Sequence, residues 1–212
     1  MKVFRYKYDK EYFTSPLYKQ VSESQRNSLR LNTIRKLKNK GKLLDIGCGE
    51  GELLDLARKY YQTEGIDISD YAVHSAISKG HKARTADISE TKLPEQSYDI
   101  ISAFNILEHL KRPHYSVENI FQALKNDGVL IGSVPSNFGL IGGLSTWISN
   151  FFDRTHRFTP APKIWYRIFQ RSGFASIKFL GEVTLTKNDS WYLNFNGWHY
   201  FSFNLVFICH KA

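Results

Sequence analysis

Three glycines at alternate positions, Gly47, Gly49 and Gly51, follow the apolar run LLDI, with carboxylates at Asp45, Glu50 and Glu52 around them. Glycines spaced this way after a strand let the backbone turn sharply and come close to a bound molecule. A phosphate loop of the ATPase kind needs GxxxxGK followed by Ser or Thr, and a dinucleotide loop needs GxGxxG. The first is absent, and Glu52 occupies the sixth place of the second. No Lys or Arg lies between Leu43 and Ala57, so a phosphate here would face carboxylates alone. A cationic ligand suits the loop better. S-adenosylmethionine has a sulfonium, an ammonium group and an adenosine, and no phosphate. Gly47, Cys48, Gly49 and Gly51 are therefore expected to line it, with Asp45 near its cationic end; the plainer alternative for Asp45 is a loop cap.

Two further acids stand at the ends of later apolar runs. Asp67, in GIDIS, follows Asp45 by 22 residues, close to the interval at which an acid reaches ribose hydroxyls in folds of this kind. It is the ribose candidate, with Ile68 beside it. Asp87, in TADIS, is placed to accept from an adenine amino group, and Ile88 to cover the ring; capping a turn is the other reading of Asp87. Phe104, Asn105 and Ile106, in SAFNILEHL, would line the opposite side of the ligand.

The elements that must carry these residues alternate. A helical pattern over 22–39, with Leu31, Ile34 and Leu37 spaced by three, leads to strand 43–46. Helix 52–60, strand 64–67, helix 70–79, strand 83–86 and strand 98–104 follow. A helix opened by Pro113 and strand 128–134 complete the series. Such alternation predicts an α/β class, a doubly wound Rossmann-like sheet that is mostly parallel. Thr159 and Pro160 read as cap and first turn of a helix ended by Gly173. The last two strands, FASIKFLGEVTL and FNLVFICH, have no helix between them and should form an antiparallel C-terminal pair. The aromatic stretch WYLNFNGWHYF between them reads as edge and core packing, with a nucleic-acid platform as the lesser option.

LLDIGCGEG, GIDIS, ADI and YDIISAFNILEHL, in this order, resemble the class I S-adenosylmethionine-dependent methyltransferases. A closer resemblance, to the ubiquinone-biosynthesis O-methyltransferases and their relatives, is carried by NSLRLNTI, NILEHL and THRFTP. It implies that Arg30 binds the cofactor carboxylate and that Gly47, Asp67 and Phe104 are binding positions. The basic N-terminal run and the C-terminal aromatic stretch have no counterpart there, so the quinone substrate is not carried over.

Methyl transfer is an in-line displacement at an activated carbon, and a hydroxyl acceptor must also lose a proton. Histidine is the natural base near neutral pH. His156, in the segment expected to cover the acceptor, is preferred over His109, which is read mainly as a structural or cofactor contact. No His and acid cluster has metal-ligand spacing, so no metal is expected. Leu140, Ile141, Leu144, Trp147, Ile148, Phe151 and Phe152 recur at three- and four-residue steps, as in an amphipathic helix over 138–152. It reads as a substrate lid, as core, or as a peripheral membrane contact rimmed by Arg154 and Arg157. The aromatic YKYDKEYF at the start reads as a second flap.

Charge separates the partners. The net charge of +9 comes wholly from residues 1–42, which hold 12 Lys or Arg against 3 Asp or Glu. Arg30, Arg35, Lys36, Lys38, Lys40 and Lys42 follow one another with no acid between, as on a solvated helix face or a surface for polyanions. The chain has NILE after its fourth strand rather than the Asn/Asp-Pro-Pro-Tyr/Phe of base-methylating enzymes, which sets RNA methylation below small-molecule O-methylation. An inactive cofactor-binding homologue is the third class. Two cysteines exclude a disulfide framework, and the start lacks a signal peptide, so a cytoplasmic protein is expected. The chain of 212 residues reads as one methyltransferase domain with a basic helical cap over 1–42 and a lid insertion over 136–159.

Overall fold

The computed structural model describes residues 8–14, 25–136, 157–186, 189–193 and 204–212. Strands β1 (Lys42–Ile46), β2 (Gln62–Asp67), β3 (Ala83–Thr85), β4 (Tyr98–Phe104) and β5 (Leu124–Pro135) pair in parallel, in the order β3-β2-β1-β4-β5. β1 and β4 are interior strands of the sheet. Their near-unbroken apolar sequences, KLLDI and YDIISAF, are those of strands covered on both faces.

Helices α1 (Lys10–Thr14), α2 (Gln25–Leu37), α3 (Glu52–Ala57), α4 (Asp70–Ser78), α5 (Pro113–Ala123) and α6 (Pro162–Arg171) flank the sheet. On one face Leu31 and Ile34 of α2 and Leu53 and Leu54 of α3 pack with Leu43, Ile100 and Ile131. On the other, Val117 and Ile120 of α5 and Trp165, Ile168 and Phe169 of α6 pack with Leu44, Ile101 and Leu130. Alternate residues of each strand feed the two cores, so the sheet is fixed from both sides. Because β1 runs on to β2 and β3 in one direction and β4 lies on its other side, the chain's winding reverses between β1 and β4. In sheets of this kind ligands bind outside the carboxyl ends of the strands at such a reversal.

Several boundaries differ from those read in the sequence. β5 starts at Leu124, not at residue 128: Tyr98 pairs with Leu124, the register then shifts, and Ile100 pairs with Val129. The polar Lys125–Asp127 segment, which precedes the expected start of the strand, lies at an irregularity inside it. α6 is capped by Ala161 with Pro162 in its first turn, so Thr159 and Pro160 precede the helix. A second proline, two residues later, serves the same first-turn role.

The C-terminal antiparallel part is larger than a pair. β8 (Asn204–His210) lies antiparallel between β5 and β6 (Ser176–Thr186), and β7 (Asp189–Leu193) adds an antiparallel edge beyond β6. The first residues of the aromatic stretch are thus part of a strand. Val183 of β6 pairs with Trp191 of β7 in this ladder. The amphipathic 138–152 segment and His156 lie outside the described residues. At the N-terminus, Phe13 is buried against Tyr71 of α4, and the Tyr8 carbonyl accepts from the Ser69 hydroxyl at 2.5 Å. Among the described residues no helix is long and apolar enough to cross a membrane.

Candidate functional site

The glycine loop is built by hydrogen bonds from the two ends of neighbouring strands. The amides of Gly47 and Cys48 both donate to the Ile66 carbonyl, at 2.7 and 3.1 Å. Gly49 N–H donates to Asp67 Oδ2 and Ser69 N–H to Asp67 Oδ1, each at 2.9 Å. Asp67 therefore ties the loop to the end of β2. Its two oxygens each accept one backbone N–H and keep further lone pairs. Burial pushes its pKa up, against those same backbone donors, which favour the ionised form.

Gly47 has φ 74°, and a Cβ there would fall 2.0 Å from Ile106 Cδ1. A side chain there would both strain the left-handed backbone and displace Ile106 at the contact between the loops after β1 and β4. Asn105 also adopts a left-handed backbone, φ 55°, and its side-chain oxygen accepts from Ser133 Oγ at 2.9 Å. Cys48 points inward, where a Cβ on Gly65 would meet its sulfur at 2.7 Å. Burial raises the thiol pKa, so Cys48 is a packing residue behind the loop.

Asp45 is buried and accepts from Ser102 Oγ at 2.7 Å. Burial pushes its pKa up to about 7, with the Ser102 bond and Arg30 pulling the other way. Glu52 is also raised by burial, and Glu50 accepts from Ser75 Oγ at 2.8 Å. Ile68 is half exposed, whereas Ile88 is buried within the core. Asp87 accepts from the Ser89 amide at 2.8 Å and stands 3.6 Å from Lys111 Nζ, so it holds a turn as well as facing the sheet end. His109 sits in a 3-10 turn, Leu107–His109, with Nε2 3.8 Å from Glu108 Oε1. Among the described residues no group of three or more His, Cys, Asp or Glu could hold a metal.

Arg30 departs from the rest of the basic run. Lys36 and Lys40 are exposed, but Arg30 is buried, with its guanidinium 4.3 Å above the Phe104 ring. Nη1 donates to Asn27 Oδ1 at 3.1 Å, while Nε and Nη2 have no hydrogen-bond partner among the described residues. Two buried, unfilled donors on one planar fork match a carboxylate. Together with the Asp67 lone pairs for ribose hydroxyls and the acids of the loop for a sulfonium, this donor set fits S-adenosylmethionine.

A sequence profile of the methyltransferase domain family matches residues 19–178, well over half of the chain. The chain belongs to the class I S-adenosylmethionine-dependent methyltransferases. Among similar methyltransferases, a "Probable S-adenosylmethionine-dependent methyltransferase" of Mycobacterium tuberculosis is 30% identical over 115 residues, covering 53% of this chain and 42% of that protein. The ubiquinone biosynthesis O-methyltransferase of Pseudomonas fluorescens is 29% identical over 133 residues, covering 55% and 57%. The chain thus spans about half the length of these curated relatives. Magnesium protoporphyrin IX methyltransferase from Synechocystis, crystallised with S-adenosylhomocysteine, superposes with TM-score 0.67 at 18% identity over 93% of this chain and 88% of that one. At such identity the likeness concerns the methyltransferase fold alone.

Sequence reasoning singled out Arg30 but missed the Arg26–Glu182 ion pair, 3.5 Å between Nε and Oε1. Arg26, four residues earlier and so on the same side of α2, was a readable signal. Glu182 and Tyr192 carried none, since only the pairing of β6 with β7 sets them opposite each other.

Proposed function

We propose that this methyltransferase binds S-adenosylmethionine at the carboxyl ends of β1 and β4 and methylates a hydroxyl group of a small molecule. The observation that carries the cofactor reading is the buried Arg30 fork over Phe104, with two donors unmatched among the described residues, together with a glycine loop that has acids and no cations. Arg30 would hold the cofactor carboxylate and Asp67 the ribose hydroxyls, while Ile68 and Ile106 supply apolar contact. The cofactor brings a methyl carbon already activated by sulfonium. What remains for the chain is alignment and exclusion of water.

The hydroxyl acceptor is supported by likeness to the ubiquinone biosynthesis O-methyltransferases, whose printed name specifies O-methylation. Such an acceptor needs a base, and His156 is assigned that role, with His109 near the β4 loop as the second candidate. The test is to incubate the protein with methyl-labelled cofactor and fractionated cell extract. Label in small molecules, released by conditions that cleave methyl ethers or esters, supports the reading. Label confined to RNA or protein would replace it, and cofactor binding with no transfer to any fraction would leave a binding protein.

A further inference from the structure

The amino ends of the parallel strands carry a second concave surface, at the end of the sheet opposite the glycine loop. Lys42 opens β1, Gln62 opens β2, Asp99 is the second residue of β4 and Lys125 the second of β5. With Tyr60 and Tyr61 they line a cavity of about 530 Å³. The five residues of β1, at about 3.3 Å each, put roughly 16 Å between this surface and the loop that begins at Gly47.

Residues far apart in the chain are held together around it. The Arg35 guanidinium lies 4.0 Å above the Tyr60 ring, Tyr61 Oη donates to the Lys38 carbonyl at 2.6 Å, and Lys38 Nζ donates to the Asp127 carbonyl at 2.9 Å. The end of α2, the connection from α3 to β2 and the start of β5 thus meet on one surface. Its floor is neutral. Asp99 Oδ2 takes the Lys125 ammonium at 2.9 Å and the Lys42 amide at 2.8 Å, while Lys42 Nζ turns to Glu64 at 3.1 Å and Arg58 to Asp55 at 3.2 Å. Its rim is cationic. Lys40 adjoins Gly41 and Lys59 adjoins Tyr60, both in the lining, and with Arg35 they are exposed. Arg35, Lys38, Lys40 and Lys59 make no ion pair among the described residues.

A solvated stripe of lysines would run along α2 alone, whereas these cations come from α2, the connection after it and the connection after α3. Phosphates supply the negative charge that the rim lacks and leave the paired floor undisturbed. Tyr60 narrows the partner further. It is 42% exposed with a guanidinium on one ring face, an arrangement on which a nucleobase stacks. Among the described residues no aliphatic side chain lines the cavity, so a bilayer or an apolar protein anchor has nothing to bury against there.

We propose that this amino-end surface docks single-stranded nucleic acid, with phosphates against Arg35, Lys38, Lys40 and Lys59 and a base against Tyr60, apart from the methyl-transfer site. Docking there is independent of which group accepts the methyl, because the cofactor loop lies at the other end of the strands.

The test is fluorescence anisotropy of a labelled oligouridylate with the full chain over a range of salt, with calorimetric titration by S-adenosylhomocysteine as the control for folding. The parent should bind with a steep salt dependence. Arg35→Glu, Lys40→Glu and Lys59→Glu combined should weaken binding by about tenfold or more at low salt and lower the slope of log K against log salt by about 2, since each phosphate contact on a single strand contributes about 0.7. Tyr60→Ala should weaken binding by about fivefold or more with the slope unchanged, as stacking releases no counterions. S-adenosylhomocysteine affinity should hold in both. Lys40→Gln with Lys59→Gln, which leaves α2 and the Arg35 contact intact, should give a smaller loss of the same sign and keeps the comparison if the triple variant folds poorly. No binding at low salt, or binding that the charge changes leave in place, would overturn the proposal. Sedimentation with phosphatidylglycerol vesicles that the same changes abolish, without oligouridylate binding, would make the surface a membrane contact instead. Inorganic polyphosphate bound as tightly as oligouridylate, with Tyr60→Ala silent, would leave a polyanion surface without base recognition and overturn it as well.

Discussion

The Gly49 amide donates to Asp67 Oδ2 across 2.9 Å, joining the loop after β1 to the end of β2 through one carboxylate. The residue assigned to the ribose is thus also the residue that shapes the loop. Asp67→Ala should weaken S-adenosylhomocysteine by about 1 to 3 kcal/mol, the range for hydrogen bonds to an ionised partner. Methylthioadenosine, which shares the ribose, should weaken by the same factor. Calorimetry showing no loss for either nucleoside would remove Asp67 from the site.

Gly47 and Ile106 meet where the loops after β1 and β4 face each other. Gly47→Ala places a side chain in a left-handed backbone and against Ile106, which should cost about 1 to 2 kcal/mol in urea unfolding. Adding Ile106→Ala should recover the clash but not the backbone cost. An unfolding midpoint unchanged by Gly47→Ala would show that the loop has another conformation to adopt.

Asp45 gives stability a pH dependence of known sign. Its folded pKa, about 7, lies above the unfolded value near 3.9, so the folded state keeps an extra proton between those limits. Its contribution to stability therefore falls as pH rises through the window from about 4 to 7 and is level above it. Asp45→Asn should flatten that part of the stability profile. If the slope persists in Asp45→Asn, other groups carry it.

The base assignment separates chemistry from binding. His156→Ala should lower turnover by about 100-fold or more, the usual contribution of general base catalysis, and leave S-adenosylhomocysteine affinity near its parent value. Equal losses in both would make the residue architectural. His109→Ala, beside Glu108 in the turn after β4, should move turnover far less. A larger turnover loss in His109→Ala than in His156→Ala would reverse the two roles.

What could be read along the chain was whatever local pattern encodes. The glycines at 47, 49 and 51, the acids closing GIDIS and TADIS, and the apolar runs of β1 and β4 follow from steric freedom and burial, which act on neighbours in sequence. They were enough for the winding of the parallel sheet, and they exclude a phosphate loop.

The boundaries that shifted lie where two local signals compete. Thr159 and Pro160 are a sound helix start, but Ala161 and Pro162 offer another, and the structure uses the later one. Lys125 to Asp127 lie before the strand start expected at residue 128, yet the flanking residues pair with β4 and draw them into β5. In both cases packing against the sheet outweighs propensity.

The sequence by itself determined the parallel αβ order, the loop that prefers a cationic ligand, and the candidates Arg30, Asp67 and Phe104. Only the tertiary structure decided that Arg30 is buried over Phe104 with two donors unmatched among the described residues, and that Glu182 of β6 stands between Tyr192 of β7 and Asn204 of β8. Pairing of buried polar groups depends on distance in space and on exclusion of water, and neither quantity is written in the spacing of residues along the chain.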